Sequence, residues 1–211
     1  MVQVARLSEE SMKQRYYFAI LYLSEHADCC LLAGRCISQM HKFMVNNKKA
    51  MNKIGVSFPT WGVDSVGSSI AFVAEDKELL IGLSFQPYFS VMVQEELFEL
   101  SAVSPIPDGV ADVRFVRNQA IGKSFIGSKK RRMKRSMARA ELAGEESIPV
   151  ADEEREFEHF HRIPISSGSS KQEFFLHVQK EHVDERNAVN FNTYGFANNQ
   201  DRRGTVPDIR F

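Results

Sequence analysis

Apolar residues in the first half of the chain follow two patterns, which occur in turn along the sequence. One is typical of strands and the other of helices. The dense apolar run RYYFAILYL at 15–23 predicts a buried strand. Residues 29–45 instead carry apolar side chains at helical spacing, with Leu32, Cys36 and Met40 four positions apart. We therefore expect a strand followed by an amphipathic helix.

The pattern continues through the rest of this half. We expect strands at 54–59, 69–73 and 96–103, with an uneven helix from about 75 to 93. The order β-α-β-β-α-β is typical of a ferredoxin-like domain, which we assign to 15–104 after a loose extension at 1–14. The fold class is therefore α+β. Ferredoxin-like domains have many functions, RNA binding among them, so this order does not decide the function.

A second, smaller domain is predicted at 110–211. It follows the sequence PIPDG at 105–109, whose Pro and Gly residues are typical of a joint between domains. We expect an extended segment at 113–119, a helix at about 128–142, strands at 160–165, 172–180 and 188–196, and then a polar tail. Gly144 should end the helix. Pro164 should place its strand at a sheet edge, because proline cannot donate a ladder hydrogen bond.

The predicted helix is strongly basic. Seven of the twelve residues in SKKRRMKRSMAR, 128–139, are Lys or Arg, and Ser128 is the expected N-cap. At about 100° per residue, one arc of the helix holds Arg131, Arg132, Arg135 and Arg139. Met133, Met137 and Ala140 fall on the opposite side. Because arginine binds phosphate through two hydrogen bonds, the arc suits a nucleic-acid backbone. A solvated charged face is the alternative.

Composition is that of an ordinary globular protein. The 211 residues are 43% hydrophobic and 26% charged, with a formal net charge of zero. The zero hides an asymmetry, because residues 141–158 directly after the basic residues carry eight acids and one base. A neutral overall charge therefore does not argue against a nucleic-acid partner.

Three cysteines, Cys29, Cys30 and Cys36, are too few and too close together for a disulfide framework. A zinc site formed by Cys29, Cys36 and His41 is an alternative that we do not favour, because no paired ligand cluster occurs elsewhere. No run approaches the ~18 apolar residues of a membrane span, and no signal peptide is evident. We expect a cytoplasmic protein with no membrane partner.

Five features, in order along the chain, resemble the CRISPR repeat-cleaving endoribonucleases of subtype I-F. They are Met40-His41 near a helix end, IGVSFP at 54–59, Arg117 and Gln119 ahead of the basic helix, the Ser-rich turn before Phe174, and TYGF at 193–196. The resemblance spans roughly residues 15–211. It implies an enzyme that cuts CRISPR precursor RNA on the 3′ side of a repeat hairpin, without metal or other cofactor, and leaves a 2′,3′-cyclic phosphate. It also implies that the enzyme stays bound to the hairpin, with the backbone and other subunits of a type I-F effector complex as partners.

The resemblance assigns catalytic roles to four residues. His41 matches the family's catalytic histidine, and histidine suits removal of a proton near neutral pH. Ser167 and Ser169 align with serines that orient the attacking 2′-hydroxyl, and which of the two does so stays open. Tyr194 matches a tyrosine that supports the histidine.

RNA recognition is assigned in the same way. Arg117 and Gln119 resemble the family's base readers, since arginine pairs with guanine and glutamine with adenine. Phe174 is expected to stack on the terminal base pair. The expected phosphate-binding residues are Lys130, Arg131, Arg132, Lys134, Arg135 and Arg139.

The chain departs from the family at several places. Lysines replace some arginines of the basic helix, an extra polar stretch NNQDRRG occupies 198–204, and the N-terminus is longer. His159 and His161, which we place near the Ser-rich turn, are further candidates for RNA contact. Two other functions stay open: a hairpin-binding subunit that does not cleave, including one of a transposon-associated complex, and a ribosomal or mRNA-binding protein. The last is disfavoured because the aromatic pattern of RNA-recognition motifs is missing.

Overall fold

The structure, a computed structural model, describes residues 13–24, 26–144, 157–166 and 173–210. The first half contains the strands and helices β1 Tyr16–Tyr22, α1 Cys29–Asn46, β2 Gly55–Ser57, β3 Ser69–Ala74, α2 Lys77–Ser84, α3 Pro87–Gln94, β4 Phe98–Leu100 and β5 Ser104–Pro105. The strands form one antiparallel sheet in the order β2-β3-β1-β4, and β5 also pairs with β1. This order confirms a ferredoxin-like arrangement within an α+β protein.

The predicted helix at 75–93 is two helices in the structure. Phe85 ends α2, and Pro87 is the first residue of α3. Proline suits the first turn of a helix but not its interior, because it lacks an N–H to donate. The prediction of one continuous helix was therefore wrong, although the predicted limits of 75 and 93 are close to the observed 77 and 94.

The second half contains β6 Asp112–Arg117, α4 Gln119–Ser124, α5 Ile126–Ala143, β7 His161–Ser166, β8 Glu173–His182 and β9 Val206–Pro207. Its strands form a second antiparallel sheet in the order β7-β8-β6-β9. β7, which contains Pro164, lies at the edge as predicted. Gly144 adopts the left-handed conformation at the end of α5, also as predicted.

Three predictions for this half were wrong. The residues predicted as a strand at 188–196 form turns and irregular backbone, and the tail instead supplies the short strand β9. Gln119 is not on the extended segment, because Asn118 caps α4 and its side chain accepts the N–H of Ala120. The basic helix begins at Ile126, so Ser128 lies inside it and is not its N-cap.

One buried cluster includes residues of both sheets. Phe18 and Ile20 of the first sheet belong to the same cluster as Phe115 and Leu176 of the second. The division into two domains at 105–109 therefore stays a prediction. Within the described residues, no helix combines the length and the apolar character that crossing a membrane would require.

Helix α1 packs closely against the second sheet at Gly34. A Cβ at this position would collide with the backbone carbonyl of Pro164 in β7. Glycine is therefore required here by the close approach of a helix to a strand, because the carbonyl cannot move away as a flexible side chain could.

We predict that Gly34→Ala lowers the free energy of unfolding by about 3 kcal/mol through this collision. Gly82→Ala is the matched control: it also lies inside a helix, but its Cβ would make an ordinary 3.4 Å contact with the Phe43 ring. Alanine should gain up to about 1 kcal/mol there from its helix propensity. Urea unfolding of both variants tests this, and equal effects would contradict the packing at Gly34.

Candidate functional site

A tight turn at 192–197 positions the side chain of Tyr194. The Asn192 side-chain oxygen accepts the Tyr194 N–H at 2.8 Å, and the Gly195 N–H donates to the Asn192 carbonyl at 2.9 Å. Gly195 has a φ of +78°, and a Cβ there would lie 2.6 Å from Val56 and 2.8 Å from Met40. Both the backbone conformation and the surrounding space therefore require glycine.

The same turn is bonded to both sheets. The Val56 N–H of β2 donates to the Gly195 carbonyl at 2.9 Å. On the other side, the Ala197 N–H donates to the Phe115 carbonyl of β6, and the Arg117 N–H donates to the Ala197 carbonyl, each at 2.9 Å. Tyr194 is thus fixed between the sheets, beside the end of β6.

His41 of α1 stacks on Tyr194. The ring centroids are 4.4 Å apart and the planes differ by 7°. The His41 Nδ1 atom lies 2.8 Å from the Thr193 carbonyl oxygen. Because a carbonyl only accepts, Nδ1 must carry the hydrogen, which leaves the Nε2 lone pair available when the ring is neutral. This arrangement allows His41 to take up a proton at Nε2.

Two more of the predicted site residues contact the same tyrosine ring. The guanidinium carbon of Arg117 lies 5.2 Å from the Tyr194 centroid, and the Phe174 ring meets Tyr194 edge-on at 6.0 Å. Burial lowers the pKa of Arg117, and the nearby Tyr194 opposes that shift. The structure therefore brings together His41, Arg117, Phe174 and Tyr194, which come from four separate segments.

The other predicted catalytic residues, Ser167 and Ser169, lie outside the described residues. They belong to the connection between β7, which ends at Ser166, and β8, which begins at Glu173. His159 and His161 do not lie near that turn as we expected: their Nε2 atoms are 3.3 Å apart beside the opposite end of β7, where His161 also contacts the Gly62 carbonyl at 2.8 Å.

Helix α5 exposes its basic side chains, and the apolar residues behind them are also exposed. Met133 and Met137 are 57% and 54% exposed, so they are not packed on the protein. The basic residues whose exposure is described, all of them exposed, are Lys130, Arg131, Lys134, Arg135 and Arg139. The side chain of Arg132 lies outside the description. Gln119, at the start of α4, is exposed as well.

Sequence reasoning missed a side-chain network beside the predicted base readers. Asn118, between Arg117 and Gln119, donates to Gln179 at 2.8 Å and accepts from Asn199 at 3.3 Å. Asn199 belongs to the extra stretch at 198–204, so that stretch lies next to the predicted reading residues. Its unusual length was the one signal in the sequence that marked it.

The zinc alternative finds no support in the part of the chain that the structure describes. There, no three His, Cys, Asp or Glu side chains form a group that could hold a metal ion. Cys36 is fully buried, and burial raises the pKa of its thiol. It therefore behaves as a core residue.

Comparison with known families gives one finding that covers almost the whole chain. A family model described as "CRISPR-associated protein (Cas_Csy4)" matches residues 17–209. A comparison with curated proteins gave no match. The matched range includes Tyr194 and the three residues that contact its ring, His41, Arg117 and Phe174.

Two buried histidines should make the protein less stable in acid. Burial lowers the pKa of His177, and Arg162 and Arg117 lower it further. Burial also lowers the pKa of His161. Histidine in the unfolded chain titrates near pH ~6.5. Below that pH, the unfolded state binds protons that the folded state does not, so stability falls as the pH falls.

We therefore predict that the free energy of unfolding is lower at about pH 5.5 than at about pH 7.5, and that His177→Leu reduces this difference. The control is His182→Gln, which changes an exposed histidine on the same strand. Urea unfolding at the two pH values gives the measurement. An unchanged pH dependence in His177→Leu would show that His177 is not responsible.

Proposed function

Because the chain belongs to the Cas_Csy4 family of CRISPR-associated endoribonucleases, which process CRISPR repeat RNA, we propose that it cuts CRISPR precursor RNA at the 3′ base of the repeat hairpin. The cut needs no metal ion, and the protein then stays on the mature RNA as a subunit of a type I-F effector complex in the cytoplasm. The observation that carries this proposal is the contact of His41, Arg117 and Phe174 with one tyrosine ring.

The proposed reaction uses a nucleophile that belongs to the RNA. The 2′-hydroxyl before the cleavage site loses its proton to His41 Nε2, and its oxygen attacks the adjacent phosphorus. The bond from phosphorus to the next nucleotide's 5′-oxygen breaks, and that oxygen takes up a proton. The products are a 2′,3′-cyclic phosphate and a 5′-hydroxyl. The protein's task is to remove one proton and hold the reacting atoms in line.

Tyr194 and Thr193 prepare His41 for that task. The Thr193 carbonyl, 2.8 Å from Nδ1, selects the tautomer whose Nε2 can accept a proton. The stacked Tyr194 ring holds the imidazole plane in place and interacts favourably with the imidazolium that forms. Ser167 or Ser169 is proposed to orient the 2′-hydroxyl by a hydrogen bond.

Recognition and cleavage are proposed to occur at the same end of the hairpin. Arg117, which is proposed to recognise a nucleobase, and His41, which is proposed to accept the proton, both contact the Tyr194 ring. Phe174 contacts that ring too, and would stack on the last base pair. A base pair read by Arg117 therefore lies close to the phosphate that is cut, which ties the position of the cut to the sequence of the hairpin base.

Helix α5 is proposed to bind phosphates along the hairpin. Both its basic face and its Met133 and Met137 side are exposed, so the helix can lie in a groove without a large rearrangement of the protein. The major groove of A-form RNA is deep and narrow, but the end of a hairpin is accessible. The basic side chains then contact the backbone and the residues beside Tyr194 contact the bases.

The first test is cleavage of a labelled repeat hairpin in excess chelator. We expect wild type to cut once at the hairpin base, with product equal to enzyme when RNA is in excess. His41→Ala should bind normally but cut on the order of 10²–10⁴ times more slowly. His26→Ala, an exposed histidine before α1, is the control and should cut like wild type. A wild type that binds but never cuts would indicate a hairpin-holding subunit instead, and a requirement for metal would refute the mechanism.

A second test separates base reading from phosphate binding. Arg117→Ala should relax the preference for the natural base pair at the hairpin base, a loss of about 1–3 kcal/mol in discrimination. Arg135→Ala should weaken binding to all hairpins alike and reduce the salt dependence, whereas Arg135→Lys should keep most of that dependence because it keeps the charge. Binding measured at several salt concentrations with matched and mismatched hairpins decides this. Equal loss at both positions with unchanged preference would refute the division of roles.

A further inference from the structure

Three exposed side chains form a group on the outer face of the β7–β8 hairpin. We call Phe125, Arg162 and Phe175 the Arg162 platform. In the antiparallel register Arg162 lies opposite His177, and Pro164 lies opposite Phe175. Because side chains alternate along a strand, Arg162 and Phe175 lie on one face of the β7–β8 pair, which we call its outer face. Phe174 points to the opposite, inner face. The platform is therefore on the opposite side of the hairpin from the Tyr194 site.

The Arg162 guanidinium lies over two aromatic rings. The guanidinium carbon of Arg162 lies 4.3 Å from the Phe175 centroid and 5.5 Å from the Phe125 centroid. All three side chains reach solvent, with Phe175 47% and Phe125 42% exposed. Among the described residues, no carboxylate forms an ion pair with Arg162. The platform thus combines exposed aromatic surface with a cation that pairs with none of the described carboxylates.

This combination favours a nucleobase as the ligand. Unstacked bases bind on aromatic rings and on arginine planes, while the guanidinium edge remains available to a phosphate. Phe125 lies between the exposed Lys123 of α4 and the start of the basic helix α5, while the exposed Glu173 lies on the same face of β8 as Phe175. The basic side chains of α4 and α5 attract RNA and disfavour a basic protein partner.

Resting on the proposed function, we infer that the Arg162 platform binds single-stranded RNA that flanks the repeat hairpin. The RNA hairpin itself is proposed to be bound by Arg117, Phe174 and helix α5, so the platform is free for another part of the RNA. Phe174 and Phe175 are consecutive residues of β8 whose side chains lie on opposite faces, so RNA leaving the hairpin base beside Phe174 has only a short path to the outer face. The platform would then fix the direction in which the flanking RNA leaves the enzyme.

Binding to three RNAs tests the inference: the bare hairpin, the hairpin with a single-stranded 5′ extension, and the hairpin with a 3′ extension, each with a 2′-deoxy nucleotide at the cut. We expect one extension to tighten binding to wild type. Phe175→Ala should weaken binding of that RNA by about tenfold, the loss of one stacked base, and leave the bare hairpin unchanged. Arg162→Gln should act in the same direction. Abasic nucleotides in the extension should remove the effect of Phe175→Ala.

The matched control is Phe85→Ala. Phe85 is 76% exposed but lies between α2 and α3, away from the second sheet, so its loss should change no RNA affinity. Thermal melting of each variant checks that the fold is kept, as expected for exposed side chains.

Three outcomes overturn the inference. If neither extension improves binding to wild type while the bare hairpin is bound and cut, the proposed function stands and the platform has another ligand, such as a protein subunit. If Phe175→Ala weakens the bare hairpin as much as the extended one, the platform contacts the hairpin itself. If wild type binds neither hairpin nor extended RNA, the proposed function and this inference fail together.

Discussion

The constraint on which the candidate site depends is the attachment of one turn to two sheets. The Gly195 carbonyl is bonded to β2, and Ala197 exchanges two hydrogen bonds with β6. The left-handed conformation of Gly195 lets the backbone pass within van der Waals distance of Met40, the residue before His41. The turn therefore sets the position of the Tyr194 ring, and that ring in turn meets side chains from α1, β6 and β8. Side chains from distant segments therefore meet at one short segment that is bonded to both sheets.

A buried ion pair adds a second connection between the halves. Arg15, before β1, forms two hydrogen bonds with Asp112 at the start of β6, at 2.6 and 2.8 Å, and both side chains are almost fully buried. Thr205 in the tail also donates to Asp112. Taking both charges out of water is costly, so this pair is tolerated because its hydrogen-bonding groups are satisfied. The pair holds the beginning of β1 against the beginning of β6, although the two residues are 97 positions apart in sequence.

The fold was largely predictable where periodicity alone decides the structure. The bounds of α1 and β3 agree with the pattern to within a residue. Prediction failed where side chains satisfy the backbone locally. Asn192 and Asn118 each accept a backbone N–H two residues ahead, and this replaces the strand that the apolar residues of 188–196 suggested and ends β6 before Gln119. Phe191 before the turn and Phe196 within it are both buried, and apolar residues alone do not distinguish this arrangement from a buried strand.

The candidate site was predictable only through resemblance, since periodicity gives no reason to connect His41 with Tyr194 across 152 residues. No sequence motif marked the Arg162 platform, because its three residues come from separate segments of the chain. One local signal did exist. A strand with one buried face should alternate between apolar and polar residues, but EFFLHV places Phe175 where a polar residue is expected. Phe174 and Phe175 therefore place one aromatic side chain on each face of the strand. On the inner face of β8 Phe174 contacts Tyr194, and on the outer face Phe175 contacts Arg162, so a position that the two-residue period assigns to a polar side chain instead carries part of the platform proposed to bind RNA.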